Sequence, residues 1–433
     1  MSGAIDPQSE PDATTRPAKR AWYTLAILVL IYIMGSVDRA VPSVVVEPLK
    51  REFGLSDGQI GLLSGFAYSV PYALAALPSG WIIDRFSRRN FLALMVALWS
   101  GLTMMGAGAT SYMTLLLARM GVGATEASAS PGSLSMIGDM FPRRRRGTAV
   151  SLYYAGTAAG QLVTFLFGGW LLMHFGWRAL FLIAGVPGLL LAALLLFTCR
   201  EPKRGQFDPP FEVRPEDVGK RFPYADAFGY ILRSAALRHG IWANLLATGV
   251  QFSVMVWTVS FLMRVHGLSN EYAAIWVGIG IGLFQTAASL AIGPFADRYA
   301  RGEVARLARV PMLFASCAGV AGIAMTMAPT VELAIIFMAL MAAMAGAFNG
   351  PGYAVLLSLS PARMRGSILS VAKLCSILIG TGVLTYFTGT LSDVLGSADS
   401  IRYALGATFL FHFWAAFHYW MASRAASRVT PEA

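Results

Sequence analysis

The stretch GWIIDRFSRR, residues 80–89, follows an apolar run and returns as GPFADRYARG at residues 293–302, again after an apolar run. The two copies align Gly80 with Gly293, Asp84 with Asp297 and Arg85 with Arg298. A second pair repeats further on. PGSLSMIGDMFPRRRRGTAVS in the first half matches PGYAVLLSLSPARMRGSILS in the second, setting Pro142 against Pro361, Arg146 against Arg365 and Gly147 against Gly366. One structural unit is therefore used twice along the chain.

What lies between the repeats identifies the solvent. Of 433 residues, 56 % are hydrophobic and only 13 % charged, a balance that suits lipid rather than water. A helix crossing the roughly 30 Å hydrocarbon layer needs about 20 apolar residues. Runs of that length fall near 21–46, 58–82, 91–110, 112–140, 147–172 and 178–199, then near 239–264, 271–295, 307–328, 331–358, 366–390 and 401–423. The expected fold is an all-α membrane protein of about twelve transmembrane helices in two six-helix pseudo-symmetric halves, the layout of a two-lobed transporter. The expected divisions are a disordered tail at 1–20, the N-terminal half at 21–199, a charged, proline-rich linker at 200–238, the C-terminal half at 239–424 and a short tail at 425–433.

The net charge of +11 belongs to this topology. Arginines crowd the links at 85–89, 143–146, 298–309 and 363–365, whereas the opposite loops hold only Lys50, Arg51, Arg178, Arg264 and Arg402. By the positive-inside rule the first set is cytoplasmic, together with both termini and the linker. No soluble basic surface is left for nucleic acid. The three cysteines, Cys199, Cys317 and Cys375, have no ligand-like or paired spacing. With no His-Glu-x-x-His and no Gly-x-Ser-x-Gly, neither an enzyme nor a metal site is expected.

Four ionisable residues lie deeper than the loops allow: Asp38 and Arg39 in YIMGSVDRAVPSVVV, and Arg119 and Glu126 in ARMGVGATEASAS. A charge at the bilayer centre costs about 2.5–3.5 kcal/mol on insertion scales, so such groups pair and face a bundle interior. Arg119 and Glu126 are seven apart, which returns them to nearly one helix face about 10 Å apart. They are expected on one wall of a cavity, with Asp38 and Arg39 opposite. A buried carboxylate beside an arginine can switch between protonated and charged forms, so Asp38 and Glu126 are the candidates for proton coupling. Arg119 and Arg39 are the candidates for an anionic substrate group.

The Gly-x-x-x-Asp-Arg-x-x-Arg-Arg motif at 80–89, its second-half copy and the two-by-six layout resemble the major facilitator superfamily. Within it, Asp38-Arg39, the run REFGLSDGQIGLLSGFAYSVPYALAALPSGWIIDRFSRR and RMGVGATEASASPG resemble the Spinster branch, whose eukaryotic members export sphingosine-1-phosphate or lysophospholipids. Where that branch has Gly-Val-Gly-Glu-Ala-Ser, residues 123–128 read GATEAS, which places Thr125 beside the glutamate. The resemblance implies a cytoplasmic gate of Gly80, Asp84, Arg85 and Arg89, with Gly293, Asp297 and Arg298 in the second copy. Asp139 and Arg146 are its expected partners, and the glycines would end their spans in close packing.

In the second half, Asn349 and Lys373 are polar residues at depth, and Phe252 and Trp257 are candidates for an apolar wall. The chain is thus expected to be a monomeric, multi-pass, proton-coupled transporter of an anionic or zwitterionic lipid in a bacterial inner membrane. Its partners would be substrate, membrane lipids and protons, with the proton gradient in place of any cofactor. The alternatives are transport of small organic anions or drugs, and a receptor or scaffold built on the same helices.

Overall fold

A computed structural model describes residues 19–207, 224–361, 364–397 and 399–427. Every regular element among them is helical. The first half contains α1 (Lys19–Phe53), α2 (Asp57–Ser64), α3 (Phe66–Arg85), α4 (Arg88–Ala107), α5 (Tyr112–Glu126), α6 (Ala129–Met140) and α7 (Arg143–Thr198). The second begins with α8 (Tyr224–Arg233), α9 (Ala235–His266), α10 (Asn270–Val277), α11 (Gln285–Ala300) and α12 (Val304–Met327). It continues through α13 (Val331–Leu359), α14 (Arg365–Cys375), α15 (Gly382–Leu395) and α16 (Ser400–Ala426). Wider π-helical turns at Gly278–Phe284 and Ser376–Thr381 join α10 to α11 and α14 to α15.

Eight of these helices are long and apolar enough to cross a membrane, or nine if Asp57–Ala76 and Pro78–Arg85 make one bent span. The other expected spans are interrupted, fused or too polar. The run at 112–140 is broken between Glu126 and Ala129. The runs at 147–172 and 178–199 form the 56-residue α7, which if straight would extend about 84 Å, far beyond a bilayer. It breaks at Gly176, whose φ of 77° and ψ of 168° are open only to glycine. α16 is long enough, but histidine and aromatic side chains lower its hydropathy.

The expected tail and linker begin and end differently in detail. α1 starts at Lys19, and α8 and α9 take up the linker from Tyr224 onward. Residues 1–18, 208–223 and 428–433 lie outside the described residues.

The hydrophobic core reveals which end of the molecule is closed. One cluster joins both halves through Val44, Leu49, Phe165, Trp177, Trp257 and Leu405, all toward the end away from the arginine-rich loops. Toward the arginine-rich end the core divides, with Leu28, Trp99, Tyr153 and Leu195 in the first half and separate clusters in the second. The halves therefore meet at one end and part at the other.

The closed end has a backbone seam between α2 and α15. A Cβ on Gly61 would lie 2.8 Å from the Thr385 carbonyl oxygen and 2.9 Å from Tyr386 Cα, closer than real Cβ atoms approach. Small residues let helix backbones come this near. Gly61→Val is expected to force the seam apart at a cost of about 1–3 kcal/mol. Each half should keep its own core. Unchanged helical circular dichroism with increased thiol labelling of Thr385→Cys, fully buried at the seam, in a background without the native cysteines is the expected result.

Candidate functional site

The four deep charges meet, but in crossed pairs. Arg39 on α1 gives Nη1 to Glu126 Oε2 on α5 at 2.5 Å, and Tyr68 on α3 donates its hydroxyl to the same oxygen at 2.9 Å. Arg119 instead donates Nη1 to the Asp38 main-chain carbonyl at 3.2 Å. The Asp38 carboxylate accepts from Thr103 of α4 at 2.8 Å. The seven-residue spacing on α5 does align Arg119 and Glu126 along one helix, but each is engaged by α1 rather than by the other.

Burial is nearly complete: Asp38 and Glu126 are each 2 % exposed and Arg119 5 %. The Arg39 side chain keeps 24 % exposure. Two arginines therefore balance two carboxylates inside the bundle, with one arginine reaching outward. Two atoms remain without partners, Glu126 Oε1 and Arg119 Nε. A buried unsatisfied polar atom costs about 1–3 kcal/mol, so the cluster keeps one acceptor and one donor open.

Between the halves, toward the arginine-rich end, lies a cavity of about 520 Å³, a size that suits a small amphiphile. Tyr72 and Gly80 of α3, Ser130 of α6 and Tyr154 of α7 face Lys373 and Leu374 of α14 across it. Lys373 has no carboxylate within ion-pair distance among the described residues. Its polar neighbours are the phenols of Tyr72, Tyr32, Tyr154 and Tyr353.

The tyrosines connect the two charged sites. The Tyr68 and Tyr72 rings are 5.6 Å apart, and the Arg39 guanidinium lies 5.8 Å from the Tyr32 ring, which is edge-on to Tyr154 at 5.8 Å. The sequence reading missed this layer and Thr103. The available signal was helical spacing: Tyr68 and Tyr72 are four apart, and Tyr32 precedes Arg39 by seven.

Other predicted wall residues are placed elsewhere. Trp257 is fully buried, and its indole N–H bonds the Thr385 carbonyl at 3.2 Å, which makes it a packing residue between α9 and α15. Thr125 turns its hydroxyl onto the Gly121 and Val122 carbonyls of its own helix. Asn349 bonds Gln251 at 3.3 Å within the second half. Phe252 is half-buried against the large core.

The arginine-rich end also departs from expectation. Gly80 and Gly293 have nothing within 4 Å of an added Cβ, so neither packs closely, because the halves are apart here. Asp84, Arg85, Asp297 and Arg298 are exposed, and Arg85 lies over the Trp81 ring at 4.2 Å. Asp139 pairs with Arg88 rather than Arg85, and Arg88 also reaches Glu201 at 2.8 Å. Glu201 accepts from Ser87 and the Arg89 N–H at the start of α4. Burial alone would raise the Glu201 carboxyl, but these donors together with Arg88 hold it below the usual carboxylate range. Arg146 is half-buried near the start of α7. The contacts of Arg88 run to Ser135, Asp139, Glu201 and Pro202, all on the first-half side of the molecule, and none of them reaches the second half.

The ionic closure is instead at the opposite end, and the sequence reading did not foresee it. Arg264 of α9 holds Asp57 of α2 through two hydrogen bonds of 2.7 and 2.9 Å and reaches Glu47 of α1 at 2.7 Å. Lys50 and Ser392 add to Asp57. Asp393 of α15 accepts the first α2 amides, Asp57 N–H at 2.8 Å and Gly58 N–H at 2.7 Å, a carboxylate at a helix N-terminus supplied by the other half. Asp57 escaped notice because it precedes an apolar run as an ordinary helix-starting residue.

A family model described as the Major Facilitator Superfamily matches residues 28–378. The solved structure of a bacterial homologue of the human lysosomal transporter Spinster, inward-facing and unoccupied, superposes with a TM-score of 0.87 at 28 % identity, covering 96 % of this chain and 99 % of that one. An MFS-type efflux pump of Mycolicibacterium smegmatis is 26 % identical over 410 residues, 94 % of this chain and 93 % of the pump. A probable galactarate/D-glucarate transporter of Bacillus subtilis is 31 % identical over 190 residues, 42 % of this chain and 41 % of that protein.

Proposed function

The chain belongs to the major facilitator superfamily as a multi-pass membrane transporter, and from that premise we propose a proton-coupled carrier of an amphiphilic anion, such as a lysophospholipid or a sphingosine-1-phosphate-like molecule. Twelve spans cross the membrane, counting the broken α5–α6 pair, both arms of α7 and α16, with the arginine-rich loops and both termini in the cytoplasm. The protein works as a monomer in a bacterial inner membrane.

The observation that carries this reading is Lys373, a cation without a carboxylate partner in a largely apolar cavity between the halves. Its ammonium suits an anionic headgroup, and the aliphatic lining suits a tail. One tyrosine layer away, Arg39 and Tyr68 both bond Glu126 Oε2 and leave Oε1 bare. A proton can therefore settle on Oε1 without breaking a bond first. Neutralising Glu126 weakens its hold on Arg39, which then adds to Lys373 as an anion partner. Loss of that proton restores the ion pair and releases the anion. Asp38, held by Thr103 beside Arg119, serves as the second carboxylate of the coupling site. Alternating access rocks the halves about the outer seam, and the exposed Asp84, Arg85, Asp297 and Arg298 pack against the facing half when the cytoplasmic end closes.

The dicarboxylate named for the Bacillus subtilis relative supports a second reading, transport of small organic anions, in which the same two cations bind a carboxylate. Proteoliposomes with an imposed pH gradient separate the readings. Gradient-driven flux of lysophospholipid or sphingosine phosphate supports the first, whereas flux of short dicarboxylates without lipid favours the second. Absence of substrate-dependent proton movement with either class overturns coupled transport. Lys373→Ala is expected to raise the half-saturating substrate concentration at least tenfold, about 1.4 kcal/mol. An unchanged value would remove Lys373 from the binding site.

A further inference from the structure

A second cavity, of about 780 Å³, lies at the arginine-rich end of the first half, between the start of α1 and the segment that leaves α7. Arg20, Arg89 and Arg200 line it with a single carboxylate, Glu201. That carboxylate is already engaged, one oxygen by Arg88 and the other by Ser87 and the Arg89 N–H. Arg89 is partly committed as well, to the Cys199 carbonyl at 2.9 Å and to Asn90. Arg20 and Arg200 have no hydrogen-bond or ion-pair partner among the described residues. Among the described residues the cavity thus holds an excess of positive charge with two guanidinium groups unengaged.

Its floor is fixed. Tyr23 and Thr198 tie α1 to the end of α7 by a hydroxyl contact of 2.8 Å. Its rim is apolar: Phe197 is 81 % exposed and Tyr23 45 %. These side chains lie in the last turn of α7 and the second turn of α1, at the arginine-rich ends of two helices apolar enough to cross a membrane. Guanidinium groups just beyond an apolar rim meet a phosphate whose acyl chains continue along that rim, the chemistry by which basic pockets between membrane helices hold anionic headgroups.

We propose that this cavity binds the phosphate of an anionic phospholipid from the leaflet on the arginine-rich side, with Arg20 and Arg200 as the principal contacts. The site is separate from the transport cavity and does not depend on which substrate is carried. Glu201 shares the cavity and holds both the start of α4 and Arg88, so an occupied site braces the Arg88–Asp139–Glu201 cluster.

The test uses the full chain purified in detergent and stripped of lipid, with native mass spectrometry to count bound lipid and thermal unfolding to read stability. Phosphatidylglycerol is expected to be retained and to raise the unfolding temperature, whereas phosphatidylcholine, inorganic phosphate and glycerol 3-phosphate do neither. Arg20→Ala with Arg200→Ala should weaken phosphatidylglycerol retention at least tenfold, and Lys373→Ala should leave it unchanged. Both arginines are exposed, and circular dichroism checks that the double variant is folded. Equal retention by the double variant overturns the proposal. So does an equal effect of free phosphate, or loss of retention in Lys373→Ala, which would move the lipid to the transport cavity.

Discussion

Glu126→Gln is expected to abolish gradient-driven uptake while leaving counterflow exchange largely intact. Glutamine keeps the shape and can still accept from Tyr68, but it carries no charge to hold Arg39 and cannot take up a proton. Removing one partner of a buried ion pair leaves the other charge uncompensated at a cost of about 3–5 kcal/mol. Here the 24 % exposure of the Arg39 side chain lets the guanidinium turn toward the cavity, so the protein should fold. At least a tenfold loss of uptake driven by a pH gradient, with exchange within about threefold of the original, is the expected pattern. Asp38→Asn should give the same split, because Thr103 can still bond an amide oxygen there. Equal loss of both transport modes would instead mark these residues as structural. Full retention of gradient-driven uptake would remove them from coupling.

Arg264→Ala is expected to open the end of the molecule away from the arginine-rich loops. Among the described residues, the variant removes the only cation that reaches Glu47, whose side chain is 14 % exposed, and leaves Asp57, at 4 %, to Lys50 of its own half. Their mutual repulsion is relieved only when the halves separate and water enters. A penalty of about 3 kcal/mol on the closed form corresponds to a shift of roughly a hundredfold in population. Spin labels at Ser111→Cys and Ser397→Cys, in a background without the native cysteines, lie in outer loops of opposite halves and should report a longer mean distance. Arg264→Lys keeps the charge but loses the two-pronged grip on Asp57 and should fall between. A distance distribution unchanged by Arg264→Ala would assign closure to the glycine seam and the Asp393 contact with the α2 amides.

Much of the candidate site was legible as a list of residues. Asp38, Arg39, Arg119 and Glu126 stood out because a charge inside an apolar run is costly unless partnered, and all four do meet. Their pairing was not legible. Helical periodicity relates residues on one helix, so it aligned Arg119 with Glu126 but gave no rule for which side chain α1 would present to which. Trp257 was misjudged for a related reason, since an aromatic in an apolar helix has the same pattern whether it faces a cavity or fills a core. The tyrosine layer was missed because tyrosine in a membrane helix carries no charge to flag it.

The sequence by itself determined the solvent, the helical class, the twofold repeat and the set of buried charges. Each is a property of composition or spacing along one chain, and each follows from the cost of placing polar groups in hydrocarbon. Tertiary structure alone decided which end is shut. The repeated motif at 80–89 suggested a gate at the arginine-rich end, yet Gly80 faces open space there, and the halves are held at the other end by Asp57, Arg264 and Asp393. Asp57 is 207 positions from Arg264 and 336 from Asp393, and no local pattern records that they meet. Closure is a balance between two interfaces built from the same helices, and only their arrangement in space fixes which of the two is formed.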